Sequence, residues 1–230
     1  MRGSLVAAVV SVAILSSIAG CFYFGRNDYE DVLKKPSNEW SSRDCLTIVL
    51  GAMQSNLSDD ATNIRIFATP FYPSVITAIN RMLQESKHLS DNQFREGLDS
   101  ALALQAGVYR DWQKGELVDS RGNYVRHQSQ FDSLMFVLTL RNNGGISYAP
   151  DISDLEKRIF LVNESGKCLP PRYVWGRRRS TLEMEETLVV MFNLALDGRN
   201  KFLEGSHDFF LIVNDFEPQM KLQFPISRFR

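Results

Sequence analysis

Catalysis and metal binding need side chains that converge, and few residues in this chain are of the types that do so. There are three histidines, His88, His127 and His207, and no two lie near each other. No His-x-His, His-Glu-x-x-His or Cys-x-x-Cys pattern occurs, so the spacings that gather zinc ligands on one helix face or turn are missing. His207 and Asp208, with Asp215, could form part of a hydrolytic acid–base set, but no Gly-x-Ser-x-Gly elbow supplies a nucleophile. The competing reading of His207 is a surface residue at the start of a strand. Asp151, Asp154 and Glu156 crowd together after Pro150 without EF-hand spacing or its terminal Glu, which suits a solvated loop better than a calcium site. Arg177-Arg178-Arg179 offers guanidinium forks to phosphate or lipid headgroups, and Glu183, Glu185 and Glu186 are on hand to compensate it. Nucleotide-phosphate loops of the Gly-x-x-x-x-Gly-Lys or Gly-x-Gly-x-x-Gly kind are absent. The expectation is no catalytic residue, no cofactor and no metal.

The most informative chemistry is at the N-terminus. Arg2 is followed by an uncharged run from Leu5 to Ser17, and Ile18-Ala19-Gly20-Cys21 closes it with small residues before a cysteine. A positive start, an apolar core of about 7–15 residues and a small-residue cleavage site make a secretory signal. With the cysteine directly after, the segment resembles a bacterial lipoprotein signal and its lipobox. That resemblance implies diacylglycerol on the Cys21 sulfur, cleavage after Gly20 and acylation of the new amino group. Two or three acyl chains make anchoring stable where one does not. Phe22, in place of the Asp that often retains lipoproteins at the inner membrane, implies an outer-membrane protein facing the periplasm. The alternative is an uncleaved transmembrane anchor, since Gly3 to Gly25 carries no charge and about 20 apolar residues can span a bilayer. Both readings put residues 26–230 outside the cytoplasm.

Two cysteines then remain. Disulfides persist in oxidising compartments, and a Cys45–Cys168 bridge would close a loop of roughly 120 residues, worth about 4–5 kcal/mol in the chain-entropy picture. The alternative is two buried free thiols acting as small hydrophobes. Without Arg2 the 26 Lys and Arg become 25, against 27 Asp and Glu. So balanced a chain lacks the basic face of a nucleic-acid-binding protein.

The elements that would position any site follow from periodicity. Residues 1–20 are signal, and 21–40 read as a lipidated tether that supplies reach. A helix is expected over 41–57, capped by Ser41 or Ser42, with Leu46, Val49, Leu50 and Met53 on its apolar face. A short strand follows at 64–68. A second helix starts near Pro73 and buries Val75, Ile76, Ile79, Met82 and Leu83. Ser90-Asp91-Asn92-Gln93 fits a capping box before a third helix. Phe67, Phe71 and Tyr72 suit either an exposed patch or an internal seam.

After Gly107 the pattern turns to strands: a hairpin with arms 116–118 and 124–126, then 131–140, 159–163, 173–175, 187–194, 209–213 and 220–224. Short, regularly spaced strands argue for a β-sandwich. The run Phe136–Asn143, then Ile159–Gly166 and Pro170, loosely resembles extracytoplasmic immunoglobulin-like domains. It lacks their Cys…Trp…Cys core. The expected fold is α+β: a mainly helical unit over 41–106, then an immunoglobulin-like β-sandwich over 107–230. The expected function is a membrane-anchored envelope lipoprotein acting as a non-catalytic binding or assembly module, with an envelope protein as partner. The alternatives are a lipid or small-molecule carrier, or an anchored hydrolase.

Overall fold

A computed structural model of the chain describes residues 26–57, 63–88, 90, 92–93, 109–110, 117–118, 133–147, 149–176, 181–194, 202–214 and 219–228. Among the described residues it is an α+β protein with a five-stranded and a four-stranded antiparallel sheet and a two-stranded ladder. The chain divides into two compact units: residues 1–52, 71–134 and 193–201 form one, and residues 53–70, 135–192 and 202–230 form the other.

The first unit is built on three described helices, α1 (Arg26–Leu33), α2 (Ser42–Ala52) and α3 (Pro73–Lys87). Residues 26–40 are therefore not a tether. Tyr29, Val32 and Trp40 are buried, and Trp40 Nε1 donates to the Lys35 carbonyl at 3.1 Å. Tyr29 lies so close to Gly51 on α2 that a Cβ there would fall 2.8 Å from its Cβ and Cγ, so only glycine admits the contact. Helix α2 starts with the expected cap. Asp44 accepts from the Ser41 amide and hydroxyl at 3.0 and 2.8 Å, and Ser41 Oγ accepts from the Asp44 amide at 3.2 Å. These hydrogen bonds and Lys35 hold the Asp44 carboxyl down at about 2. The buried stripe of α2 is Cys45, Ile48, Val49 and Ala52, while Leu46, Leu50 and Met53 are only half-buried. The helix stops at Ala52, short of the expected 57, because Gln54–Leu57 instead pairs as a strand.

Helix α3 starts at Pro73, and His88 closes it in the left-handed conformation (φ 50°). Ser90 and Gln93 form the expected reciprocal cap, with Ser90 N to Gln93 Oε1 at 3.0 Å. The body of the helix expected after them lies outside the described residues.

In the second unit, a five-stranded sheet runs in the order β1 (Gln54–Leu57), β2 (Ile64–Pro70), β5 (Ser133–Asn142), β9 (Glu185–Asn193), β8 (Tyr173–Gly176). A four-stranded sheet runs β11 (Met220–Pro225), β10 (Asp208–Val213), β6 (Ile159–Asn163), β7 (Cys168–Leu169). The boundary expected at 106/107 is thus corrected: β1 and β2, from within 41–106, pair into the sheet that holds β5. A long-range ladder in register from Ile64↔Asn142 to Pro70↔Phe136 claims them from the helices around them. Between the sheets Phe136 meets Phe192, Phe209 and Phe224 with ring centroids 6.0, 6.4 and 5.2 Å apart, and Phe209 stacks on Phe224 at 5.6 Å. β1 also runs beside β11. A separate two-stranded ladder joins β3 (Tyr109–Arg110) to β4 (Leu117–Val118), so the described partner of 117–118 is 109–110. The expected second arm, 124–126, lies outside the described residues.

Candidate functional site

Of the acid–base residues singled out in the sequence, His207 and Asp208 are held through their backbone amides. Glu164 accepts from the amides of His207 and Asp208, both at 3.1 Å, and holds the start of β10. Asp208 Oδ2 accepts from Gln223 Nε2 on the next strand. His88 is a helix cap, while His127 and Asp215 lie outside the described residues. Asp151 turns back on the Ser153 amide and hydroxyl, which lowers its pKa, and Asp154 pairs with Lys157 at 3.1 Å. Among the described residues no group of three or more metal-ligating side chains gathers.

Cys45 and Cys168 each carry a free thiol here. Cys45 sits on the buried stripe of α2, where desolvation pushes its thiol up to about 11. Cys168 is exposed on the edge strand β7, its Sγ 3.7 Å from the Gly166 carbonyl. Cys21 and Arg177–Arg179 lie outside the described residues. Glu185, one of the acidic residues facing that triplet in sequence, pairs instead with Arg141 at 2.8 Å. Phe67, Phe71 and Tyr72 are all buried, so the exposed-patch reading of that segment falls.

Among the described residues, the large hydrophobic side chains left in solvent are Ile146, Tyr173, Trp175 and Met184. Their placement follows from strand register. Tyr173 pairs with Met191 and Trp175 with Val189, so the two rings project on one face of β8, two residues apart. They stack on each other at 5.2 Å with 21° between planes, and Arg172 lays its guanidinium 5.2 Å from the Tyr173 centroid. The strand ends at Gly176 with φ 146°, where an added Cβ would sit 2.6 Å from the Thr187 carbonyl. Gly176 therefore lets the end of β8 close on β9.

The other two side chains stand on loops whose backbone is bonded by Asn142, buried at the end of β5. Its Nδ2 donates to the carbonyls of Gly145 (2.9 Å) and Leu182 (2.8 Å), and its own amide donates to the Met184 carbonyl (2.6 Å). This ties together the loops that carry Ile146 and Met184, 75% and 68% exposed. Gly176 pairs with Leu188, so β8 runs out toward the start of β9, where Met184 projects. The β8 edge of the five-stranded sheet thus presents Arg172, Tyr173 and Trp175, while Met184 and Ile146 are exposed on the loops that Asn142 ties. Tyr, Trp, Arg and Met are the residue types enriched at interface cores. The arrangement can stack, take a cation and bury apolar area; it holds no nucleophile. In the sequence these residues read only as strand and turn. The usable signal was two bulky aromatics at i and i+2 on a strand whose other members are Val and Gly.

No protein-family model matches this chain, and no curated protein does. A solved structure described as a novel protein of unknown function from Burkholderia pseudomallei is similar at 11% identity with a TM-score of 0.40, covering 74% of this chain and 77% of that one. Among the described residues no helix is long and apolar enough to cross a membrane.

Proposed function

We propose that this chain is an envelope lipoprotein, anchored through acyl chains on Cys21, that works as a non-catalytic binding or assembly module. Its sheet unit reads as an immunoglobulin-like sandwich that offers the β8 margin to an envelope protein. The anchor rests on the lipobox Ile18-Ala19-Gly20-Cys21. The binding role rests on the exposed, mutually stacked Tyr173 and Trp175 with Arg172 against them. Aromatic and arginine anchors of this kind supply most of the energy in protein interfaces. Outer-membrane residence facing the periplasm is part of the same proposal.

A lipid or small-molecule carrier is the second reading, and it needs an apolar cavity of about 300–1,000 Å³. The rings of Phe136, Phe192, Phe209 and Phe224 occupy the space between the sheets where such a cavity would lie, which favours the binding module.

Intact mass of the protein purified from membranes tests the anchor. The expected mass is that of a chain starting at an acylated Cys21. A full-length, unacylated chain starting at Met1 would replace it with a transmembrane anchor.

A further inference from the structure

Resting on the anchored reading above, we infer that the helical unit is held against the bilayer: its α1 side faces the phospholipid headgroups on a leash shorter than the unit itself. Chain length sets the constraint. Helix α1 begins at Arg26 and is no part of a flexible linker, because Tyr29 and Val32 are buried and Tyr29 is seated on Gly51 of α2. Whatever path residues 22–25 take, the five steps from Cys21 to Arg26 span at most about 16–18 Å. A compact unit of about a hundred residues has a radius of gyration of about 13 Å, so it is more than about 26 Å across. The unit cannot turn α1 away from the membrane on such a leash. The limit also holds for an uncleaved span, since the uncharged run ends at Gly25.

Among the described side chains after α1, both lysines are already paired, Lys34 with Asp31 at 2.7 Å and Lys35 with Asp44 at 3.0 Å. Proximity is therefore imposed by the anchor, and it is insensitive to salt, unlike electrostatic adsorption, which salt screens.

The test uses the full chain, purified from membranes and reconstituted into vesicles of equal parts phosphatidylethanolamine and phosphatidylglycerol, some bearing a headgroup nitroxide. A fluorophore is placed at the exposed position of Lys34 (Lys34→Cys with Cys168→Ser). A matched chain carries a Gly/Ser spacer of about sixteen residues between Gly25 and Arg26, with a root-mean-square span of about 20–24 Å. Mass spectrometry reports acylation of each chain. The expected result is several-fold stronger quenching in the native-length chain than in the spacer chain, unchanged at high salt. Equal, weak quenching in both chains with Cys21 acylated overturns the inference and leaves the anchor standing. A chain that does not sediment with vesicles overturns both.

Discussion

Strands β5 and β8 belong to the same five-stranded sheet and are both rich in large apolar residues, yet they are treated in opposite ways. β5 is buried on both faces from Ser133 to Leu140, and Phe136 at its centre meets Phe192 of the neighbouring strand β9 and, across the sheet interface, Phe209 and Phe224. β8 leaves Tyr173 and Trp175 42% and 44% exposed, stacked on each other with the Arg172 guanidinium against Tyr173. The difference separates two uses of aromatic area. On β5 it drives folding, and on β8 it is available to a partner.

The largest effect should come from cutting into the first use. Phe136→Ala should cost about 3–5 kcal/mol of stability, as deletion of a buried phenyl ring does, read as a fall in the denaturant midpoint. The mirror experiment is Trp175→Ala. Partner affinity should fall at least about 30-fold, or about 2 kcal/mol, as at interface hot spots, while folding stability changes by under about 1 kcal/mol. Equal loss of stability from both substitutions would erase the comparison. Away from the sheets, Gly51→Ala should cost about 1–3 kcal/mol by forcing Tyr29 off α2, measured by thermal unfolding. Ser41→Ala, which removes half of the α2 cap, should cost about 1 kcal/mol.

The smallest and most specific effect is a pH dependence. Asp44 has its pKa depressed to about 2 from 3.8, first by the Ser41 amide and then by Lys35 and the Ser41 hydroxyl. A depressed carboxyl stabilises the fold above its unfolded pKa, and that stabilisation is lost as pH falls from about 3.8 toward 2. Asp44→Asn should flatten this part of the acid-unfolding curve.

Local signals carried far in this chain. The β6 span 159–163 is the one that periodicity predicts, and β10 and β11 differ by a single residue at one end. Both Ser-x-x-(Asp/Gln) caps form, and Pro73 opens its helix. What failed was non-local. Gln54–Leu57 reads as the tail of a helix because nothing near it in sequence shows that β2 is waiting as its partner. Residues 26–40 look polar enough for a tether because Tyr29, Val32 and Trp40 are thinly spaced among charges, and their burial depends on α2. The β8 margin was legible as a strand, but its exposure depends on which edge of the sheet it occupies, and that is fixed by pairing with β9.

The most direct test of the β8 margin as a docking surface is site-specific photo-crosslinking in intact envelopes. A benzophenone side chain replaces Trp175 in one chain and Lys167, exposed in the turn before β7, in another. One discrete adduct is expected from position 175, lost when Tyr173 and Arg172 are also changed to alanine, and none from position 167. Identical adduct patterns from the two positions, or no adduct from 175 in a chain shown to be folded and anchored, would contradict it.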